Sequence, residues 1–131
     1  SRSIGQWKEE KDALGKWKSW AKEATKQSRR SWIPEVLEMQ STKEIKELVE
    51  DSEFAILCHE SATEKISDVV GGKAPKEVLL IIGPEGGISE DEIALFQGAG
   101  ARIVSMGTPV FRAAHAGVAA LAAIQTGYGI W

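Results

Sequence analysis

The sequence has few of the residues that build metal centres and disulfides. Its 131 residues include one cysteine, Cys58, and two histidines, His59 and His115. A single cysteine cannot close an intrachain disulfide, and two histidines do not make a cluster of metal ligands. We therefore expect a protein that binds no metal and contains no disulfide.

Long apolar runs are also missing. No stretch of 18 apolar residues and no signal-like leader occurs, so we expect a soluble, cytoplasmic protein with no membrane partner. The length and the 43% hydrophobic content suit one globular domain that buries roughly two thirds of the surface of its unfolded chain.

Neither common phosphate-binding motif is present, although a glycine loop follows a strand-like stretch. Leu79–Ile82 is continuously aliphatic, residues 83–87 contain three glycines, and Ser89-x-x-Glu92 has the form of a helix capping box. The loop lacks the Gly-Lys-Ser/Thr ending of a P-loop, and no G-x-G-x-x-G is found. Glu85 favours a ligand hydroxyl, amine or cationic centre over a phosphate, whereas an ordinary strand–helix turn is the alternative.

Two further apolar stretches end in polar or glycine-rich loops. Phe54–Cys58 and Arg102–Met106 are predicted strands, and the three loops cover residues 58–60, 83–87 and 106–112. If the strands are parallel neighbours, all three loops meet at one edge of the sheet, where small ligands bind in α/β folds. The pattern predicts an α/β fold.

Helical periodicity accounts for most of the rest. We predict helices from Lys16, from Ser41, in the interval 61–70, and over 90–98 and 113–126, with residues 32–37 as a short strand or an extended segment. The predicted buried stripes consist of Trp17 and Trp20; Ile45, Leu48 and Val49; and Ile93, Leu95 and Phe96. The alanine-rich last helix predicts a close contact with another helix or subunit.

Positive charge is concentrated at one end of the chain. Residues 1–32 carry nine Lys/Arg against four Asp/Glu, and residues 33–131 carry seven against fifteen. The basic segment predicts either a face for a polyanion or a solvated helix face. Its tryptophans favour packing, with stacking on unpaired bases as the alternative. Gln27–Arg30 is the better candidate for ligand contacts.

Several motifs together resemble a known family. They are Ile82-Gly83-Pro84-Glu85-Gly86-Gly87 with its Ser-acid-acid-Glu helix start, Ser105-Met106-Gly107, Val-Phe-Arg before an alanine-rich helix, and upstream Lys22–Arg30 with Pro34. This set resembles the SPOUT methyltransferases, and more narrowly the bacterial small-subunit ribosomal RNA uridine-N3 methyltransferases. The resemblance covers roughly residues 15–126.

The resemblance implies a mostly parallel sheet with helices on both faces, a C-terminal trefoil knot, and a homodimer with composite active sites. It implies S-adenosylmethionine (SAM) as the cofactor and small-subunit ribosomal RNA as the substrate. Arg112 and Glu85 are the implied catalytic residues, with Glu85, His115 or solvent left open as the base. The implied cofactor-binding residues are Leu57, His59, Ile82, Gly83, Pro84, Glu85, Gly86, Gly87, Ser105, Met106, Gly107, Val110, Phe111 and Arg112.

RNA contacts are implied for the basic segment, at Lys22, Lys26, Ser28, Arg29 and Arg30. On this interpretation residues 1–14 form a leader and residues 15–131 the methyltransferase domain, without the N-terminal RNA-binding barrel of the family.

The chain also departs from the family motif at one place. Ala113, Ala114 and His115 stand where the family usually has Thr-Glu-Thr, so those roles are not carried over. A noncatalytic dimeric module that binds SAM or RNA is therefore the alternative to an enzyme.

Overall fold

The computed structural model describes residues 13–29, 31–108 and 110–131. They belong to two compact units, which separate after Gln40. The predicted leader falls almost wholly outside the described residues, as does Arg30, so the boundary at residue 14 stays a prediction.

The first unit contains one long helix. Helix α1 spans Ala13–Gln27, and residues 31–40 form no helix or strand, which agrees with the extended segment predicted there. The packing predicted for its tryptophans is wrong for this chain. Trp17 and Trp20 are 48% and 59% exposed, and their rings meet edge to face at 5.3 Å. Each therefore shields part of the other instead of entering a core.

The second unit is built on a three-stranded parallel sheet. Strand β1 (Ala55–Cys58) lies in the centre, flanked by β2 (Leu79–Ile82) and β3 (Arg102–Val104). Leu57 pairs with Ile81 on one side and Ile103 on the other. The expectation that the strands are parallel neighbours is confirmed, so their carboxyl ends share one edge.

Helices cover both faces of this sheet, as predicted. Helices α2 (Thr42–Asp51) and α4 (Glu90–Gly98) pack on the face that receives Ala55 and Leu57. Helices α3 (Ile66–Val69) and α5 (Ala113–Gly127) pack on the opposite face, which receives Ile56 and Cys58. Because successive strand residues point to opposite faces, a strand covered on both sides must be continuously apolar.

Both predicted capping boxes form. Ser41 Oγ accepts the amide of Glu44 at 3.3 Å, and Ser89 Oγ accepts the amide of Glu92 at the same distance. The carboxylate of each glutamate in turn accepts a hydrogen bond from the backbone amide of its serine. Two backbone donors that would otherwise be unpaired are therefore satisfied at each helix start. Thr42 Oγ1 also donates to Glu92 Oε1 at 3.0 Å, which joins the two helix starts.

The third helix is shorter than predicted, and so is the third strand. The segment before α3 runs alongside β3: the Ser105 amide donates to the Glu64 carbonyl at 2.8 Å, and the Ile66 amide donates to the Ser105 carbonyl at 2.9 Å. Glu64 also forms an ion pair with Arg102. Residues 64 and 65 are thereby held extended, and the helix begins only at Ile66.

Two predicted core positions are exposed. Leu48 and Leu95 lie outside the core, whereas Val49 and Phe96 are buried beside them. Helix α5 packs against α3, where Ala120 and Ile66 are buried in one cluster. At the end of α5, a Cβ on Gly127 would approach Val70 Cγ2 to 2.4 Å. A Cβ on Gly117 meets nothing within 4 Å, so α5 is open on the side of Gly117, although Ala116 and Ala120 are buried.

Within the described ranges, none of the helices has the length and apolar content needed to cross a lipid bilayer. The same residues contain no group of three His, Cys, Asp or Glu side chains arranged to hold a metal ion. The trefoil knot implied by the family resemblance stays a prediction.

Candidate functional site

The loops that follow the three strands surround one cleft. It has a volume of about 430 Å³ and lies at the carboxyl edge of the sheet. Residues 58–60, 82–88 and 106–108 border it, together with 110–113 and Ala116 from the start of α5. Its volume falls in the range of about 300–1,000 Å³ that is usual for small-molecule sites.

The glycine loop forms one wall by means of a tight turn. The Gly87 amide donates to the Pro84 carbonyl at 2.8 Å, and Gly87 has a φ of +77°, a conformation that favours glycine. Gly83 is needed for another reason, because a Cβ there would lie 2.9 Å from Ile88 Cγ1. Ile88 packs on the core, so it anchors the far end of the loop and brings the loop backbone close to the cleft.

A second part of the cleft lining is largely apolar. Met106, Val110 and Phe111 line it, and Gly107 between them has a φ of +111°. Such a surface suits a flat aromatic ring, because moving the ring out of water onto apolar side chains lowers the free energy.

Arg112 and Glu85 bring opposite charges to this cleft. Both side chains are exposed and line it. Among the residues that the structure describes, Arg112 has no carboxylate partner, so the pairing that would give it a purely structural role is not observed. Arg112 is also the N-cap residue of α5 and makes no capping bond with its side chain. The positive end of that helix therefore adds to the charge of the guanidinium.

Cys58 lines the cleft, and burial raises the pKa of its thiol to about 11. At pH 8 only about one thiol in a thousand is then ionised, and the thiolate is the reactive form. We expect iodoacetamide to alkylate Cys58 roughly a hundredfold more slowly than a free cysteine at this pH. Mass spectrometry of timed samples measures the rate, with denatured protein as the control. Equal alkylation rates for folded and denatured protein would contradict a Cys58 thiol whose pKa is raised by burial.

Twelve of the fourteen residues predicted to bind the cofactor line this cleft. The other two lie elsewhere. Leu57 is fully buried in the core beneath α2 and α4. Ser105 is also buried, and its backbone pairs with Glu64 and Ile66. Both belong to the frame that supports the cleft.

The prediction omitted six lining residues, namely Cys58, Glu60, Ile88, Thr108, Ala113 and Ala116. Glu60 and Thr108 stand inside the predicted loops, and their position after a strand was the available signal. No such signal marks Ala113 and Ala116. They belong to α5, and its first turn brings both of them to the cleft.

His115, one of the candidate bases, does not line the cleft. Its amide donates to the Arg112 carbonyl at 2.9 Å, within the first turn of α5. His59 does line the cleft, as predicted.

The residues predicted to contact RNA lie in the first unit. Lys22, Lys26, Ser28 and Arg29 are exposed along α1 and the turn that ends it, and Arg30 is outside the described residues. Lys26 pairs with Glu23 at 2.8 Å. Arg29 has a φ of +53°, which is uncommon for a residue with a side chain and ends the helix abruptly.

Comparison with known proteins identifies the family. A family description of an RNA methyltransferase domain matches residues 1–125. The chain belongs to the RNA methyltransferase domain family. Its relatives include proteins named ribosomal RNA small subunit methyltransferase E. That of Mycobacterium bovis is 37% identical over 115 residues, and that of Synechocystis is 33% identical over 124.

This RNA methyltransferase domain spans less than half the length of those relatives. The match covers 85% of the chain and 44% of the mycobacterial protein, and 90% of the chain and 40% of the cyanobacterial one. The resemblance to small-subunit ribosomal RNA methyltransferases is thus confirmed for the domain.

Solved structures of similar fold contain the cofactor. Lpg2936 of Legionella pneumophila, described as a methyltransferase and solved with bound SAM, is 29% identical with a TM-score of 0.80. The ribosomal RNA small subunit methyltransferase E of Neisseria gonorrhoeae, also bound to SAM, is 25% identical with a TM-score of 0.82. The matches cover 96% and 98% of this chain and 52% of each of those chains.

Proposed function

We propose that this chain is a SAM-dependent methyltransferase that acts on N3 of a uridine in small-subunit ribosomal RNA. The observation that carries the proposal is the cleft, which is lined both by the glycine loop and by Arg112, an arginine with no carboxylate partner among the described residues. The similar structures that hold SAM support this cofactor.

The residues present fit SAM. The wall of Met106, Val110 and Phe111 suits the adenine, and the glycine loop lets backbone approach the ribose and methionine portions without interference from side chains. Gly83 is part of this fit, since a Cβ there would displace Ile88. The Glu85 carboxylate can accept a hydrogen bond from a ribose hydroxyl or lie near the positive sulfur.

When bound, SAM supplies a methyl group activated by its positive sulfur. The chain's task is to orient the uracil and remove the proton that N3 carries. As that proton leaves, negative charge develops on the two neighbouring carbonyl oxygens. Arg112 and the uncapped start of α5 stabilise such charge most strongly when they are positioned before the reaction begins.

Glu85 is our candidate for the group that accepts the N3 proton. We expect Glu85→Gln to lower the transfer rate about 10²-fold near neutral pH, since general bases typically contribute 10²–10⁴. The rate of this variant is expected to recover as pH rises, because hydroxide can then remove the proton. Glu60→Gln, at the other cleft carboxylate, and Glu77→Gln, outside the cleft-lining residues, are the matched controls. If Glu85→Gln leaves the pH profile of the transfer rate unchanged, solvent and not Glu85 removes the N3 proton.

The cations of α1 are proposed to bind RNA phosphates, and the exposed Trp17 and Trp20 are available to stack on bases. We expect Lys22→Ala combined with Arg29→Ala to weaken RNA binding and to reduce the slope of log affinity against log salt by about 1.4–1.8. Fluorescence anisotropy at several salt concentrations measures both. Lys43→Ala with Lys73→Ala, outside this segment, is the matched control, and an unchanged slope would contradict the proposal.

We further propose a homodimer located in the cytoplasm, where ribosomes are assembled. The support for the dimer is a set of exposed apolar side chains on and after α5, which includes Val118 (73% exposed), Leu121 and Trp131. Light scattering measures the molar mass in solution. We expect the wild type to be a dimer and the Val118→Glu variant to be a monomer.

Incubation of the chain with labelled SAM and unmodified small-subunit ribosomal RNA tests the activity. We expect N3-methyluridine after digestion to nucleosides. The replacement of Thr-Glu-Thr by Ala113, Ala114 and His115 favours a second candidate, a noncatalytic binding module. That candidate predicts SAM binding without any transfer.

A further inference from the structure

Ser61, which does not line the cleft, forms two close contacts with a histidine that does. His59 Nδ1 lies 2.8 Å from Ser61 Oγ, and the Ser61 amide donates to the same Nδ1 at 3.3 Å. The backbone of the histidine is also fixed, because the His59 amide donates to the Val104 carbonyl at 2.8 Å and the His59 carbonyl accepts from Ala62. The ring is therefore held by a turn that is itself attached to β3.

These contacts determine which ring nitrogen carries the proton. A backbone amide can only donate, so Nδ1 must be the acceptor and cannot bear a hydrogen in the neutral ring. The Ser61 hydroxyl is compatible with this arrangement, because it can turn its hydrogen toward Nδ1 as well. The proton of neutral His59 is thus on Nε2, the nitrogen left free by Ser61.

We propose that Ser61 is a positioning residue that holds His59 as the Nε2–H tautomer, and that Nε2–H donates a hydrogen bond to an acceptor oxygen of bound SAM. This inference rests on the proposed function. A neutral donor suits this ligand, because the ribose hydroxyls and the carboxylate of SAM accept hydrogen bonds, whereas a charged imidazolium would repel the positive sulfur.

The same arrangement separates His59 from proton removal. Nε2 already carries a hydrogen and Nδ1 already accepts two, so the neutral ring has no free lone pair to offer a substrate. Loss of His59 is therefore expected to raise the KM for SAM and to leave kcat nearly unchanged.

The tautomer is measured first, in the free protein. Nitrogen–proton correlation spectra of the imidazole rings at pH 8, assigned with His59→Gln, are expected to show a protonated Nε2 and an unprotonated Nδ1. Ser61→Ala loses the 2.8 Å hydroxyl contact and keeps only the amide at 3.3 Å, so a smaller excess of Nε2–H over Nδ1–H is expected, whereas Ser61→Thr, which keeps the hydroxyl, is expected to retain Nε2–H. Ser67→Ala is the matched control, since that serine lies on α3 and contacts Asp68. A protonated Nδ1 in the wild type would overturn the proposal.

Calorimetry with SAM then tests the donor. The side-chain nitrogen of glutamine lies near the position of Nε2, and that of asparagine near Nδ1, so the two amides separate the two roles. We expect His59→Asn to weaken binding about tenfold, the loss of one hydrogen bond, and His59→Gln to remain within about threefold of the wild type. Equal losses in both would remove the donor role. Absence of SAM binding by the wild type would overturn the proposed function and the donor role together, whereas the spectra of the free protein would be unaffected.

Discussion

The Arg112→Ala variant is expected to bind SAM nearly as well as the wild type and to transfer methyl groups about 10²–10³-fold more slowly. Arg112 lines the cleft without a carboxylate partner among the described residues, so its charge is available to the oxygens of the uracil. Removal of one preorganised charge stabiliser costs this much in other active sites. Calorimetry measures binding, and single-turnover transfer to RNA measures the chemical step.

Two controls distinguish this role from a structural one. Arg112→Lys keeps the charge but loses the forked geometry, and we expect an intermediate rate. Lys73→Ala removes an exposed cation elsewhere and is expected to change neither quantity. Equal losses of SAM affinity and transfer rate in Arg112→Ala would assign the arginine to the structure of the loop.

Leu57→Ala is expected to lower the free energy of unfolding by about 2–5 kcal/mol. Leu57 is 0% exposed in the central strand and packs between α2 and α4 on one side of the sheet. Truncation there removes buried apolar surface and leaves a cavity that a two-sided sheet cannot close. Chemical denaturation monitored by tryptophan fluorescence and by circular dichroism measures the change.

Leu48→Ala is the matched control, because the same atoms are removed from a leucine that is 45% exposed on α2. We expect a loss below about 1 kcal/mol. A Leu57→Ala protein of normal stability and impaired SAM binding would place Leu57 in the cofactor wall, as the family resemblance implied.

The fold could be predicted from the sequence because local and long-range signals agree. Continuous aliphatic stretches such as Leu79–Ile82 are compatible with a sheet covered on both faces, and the serines before α2 and α4 mark the helix starts. The third helix was the exception. Its start depends on the pairing of residues 64–66 with Ser105, a contact between distant parts of the chain that no local pattern contains.

The cleft could be predicted for a simpler reason. Parallel strands place all their carboxyl ends at one edge, so polar and glycine residues after each strand had to converge. What the sequence could not determine was the direction of individual side chains. Leu57 and Cys58 are neighbours, yet one enters the core beneath α2 and the other faces the cleft, because successive residues alternate between the faces of a strand.

The burial of the aromatic stripe on α1 could not be predicted from the sequence. The spacing of Trp17 and Trp20 is that of a buried helix face, and it brings the rings together as expected. Spacing specifies which side chains share a face, whereas burial depends on what lies against that face. Nothing in the local pattern distinguishes a face covered by a core from one left exposed.

The three strand-end loops form the proposed site for SAM. Calorimetric titration of the wild type and of Gly83→Val with SAM tests it most directly, because a side chain at position 83 would collide with Ile88 and displace the loop. We expect one SAM bound per chain in the wild type and at least a tenfold loss of affinity in the variant, with Gly98→Val at the exposed end of α4, where a Cβ meets nothing within 4 Å, as the matched control. Absence of binding by the wild type, or equal binding by Gly83→Val, would contradict the proposal.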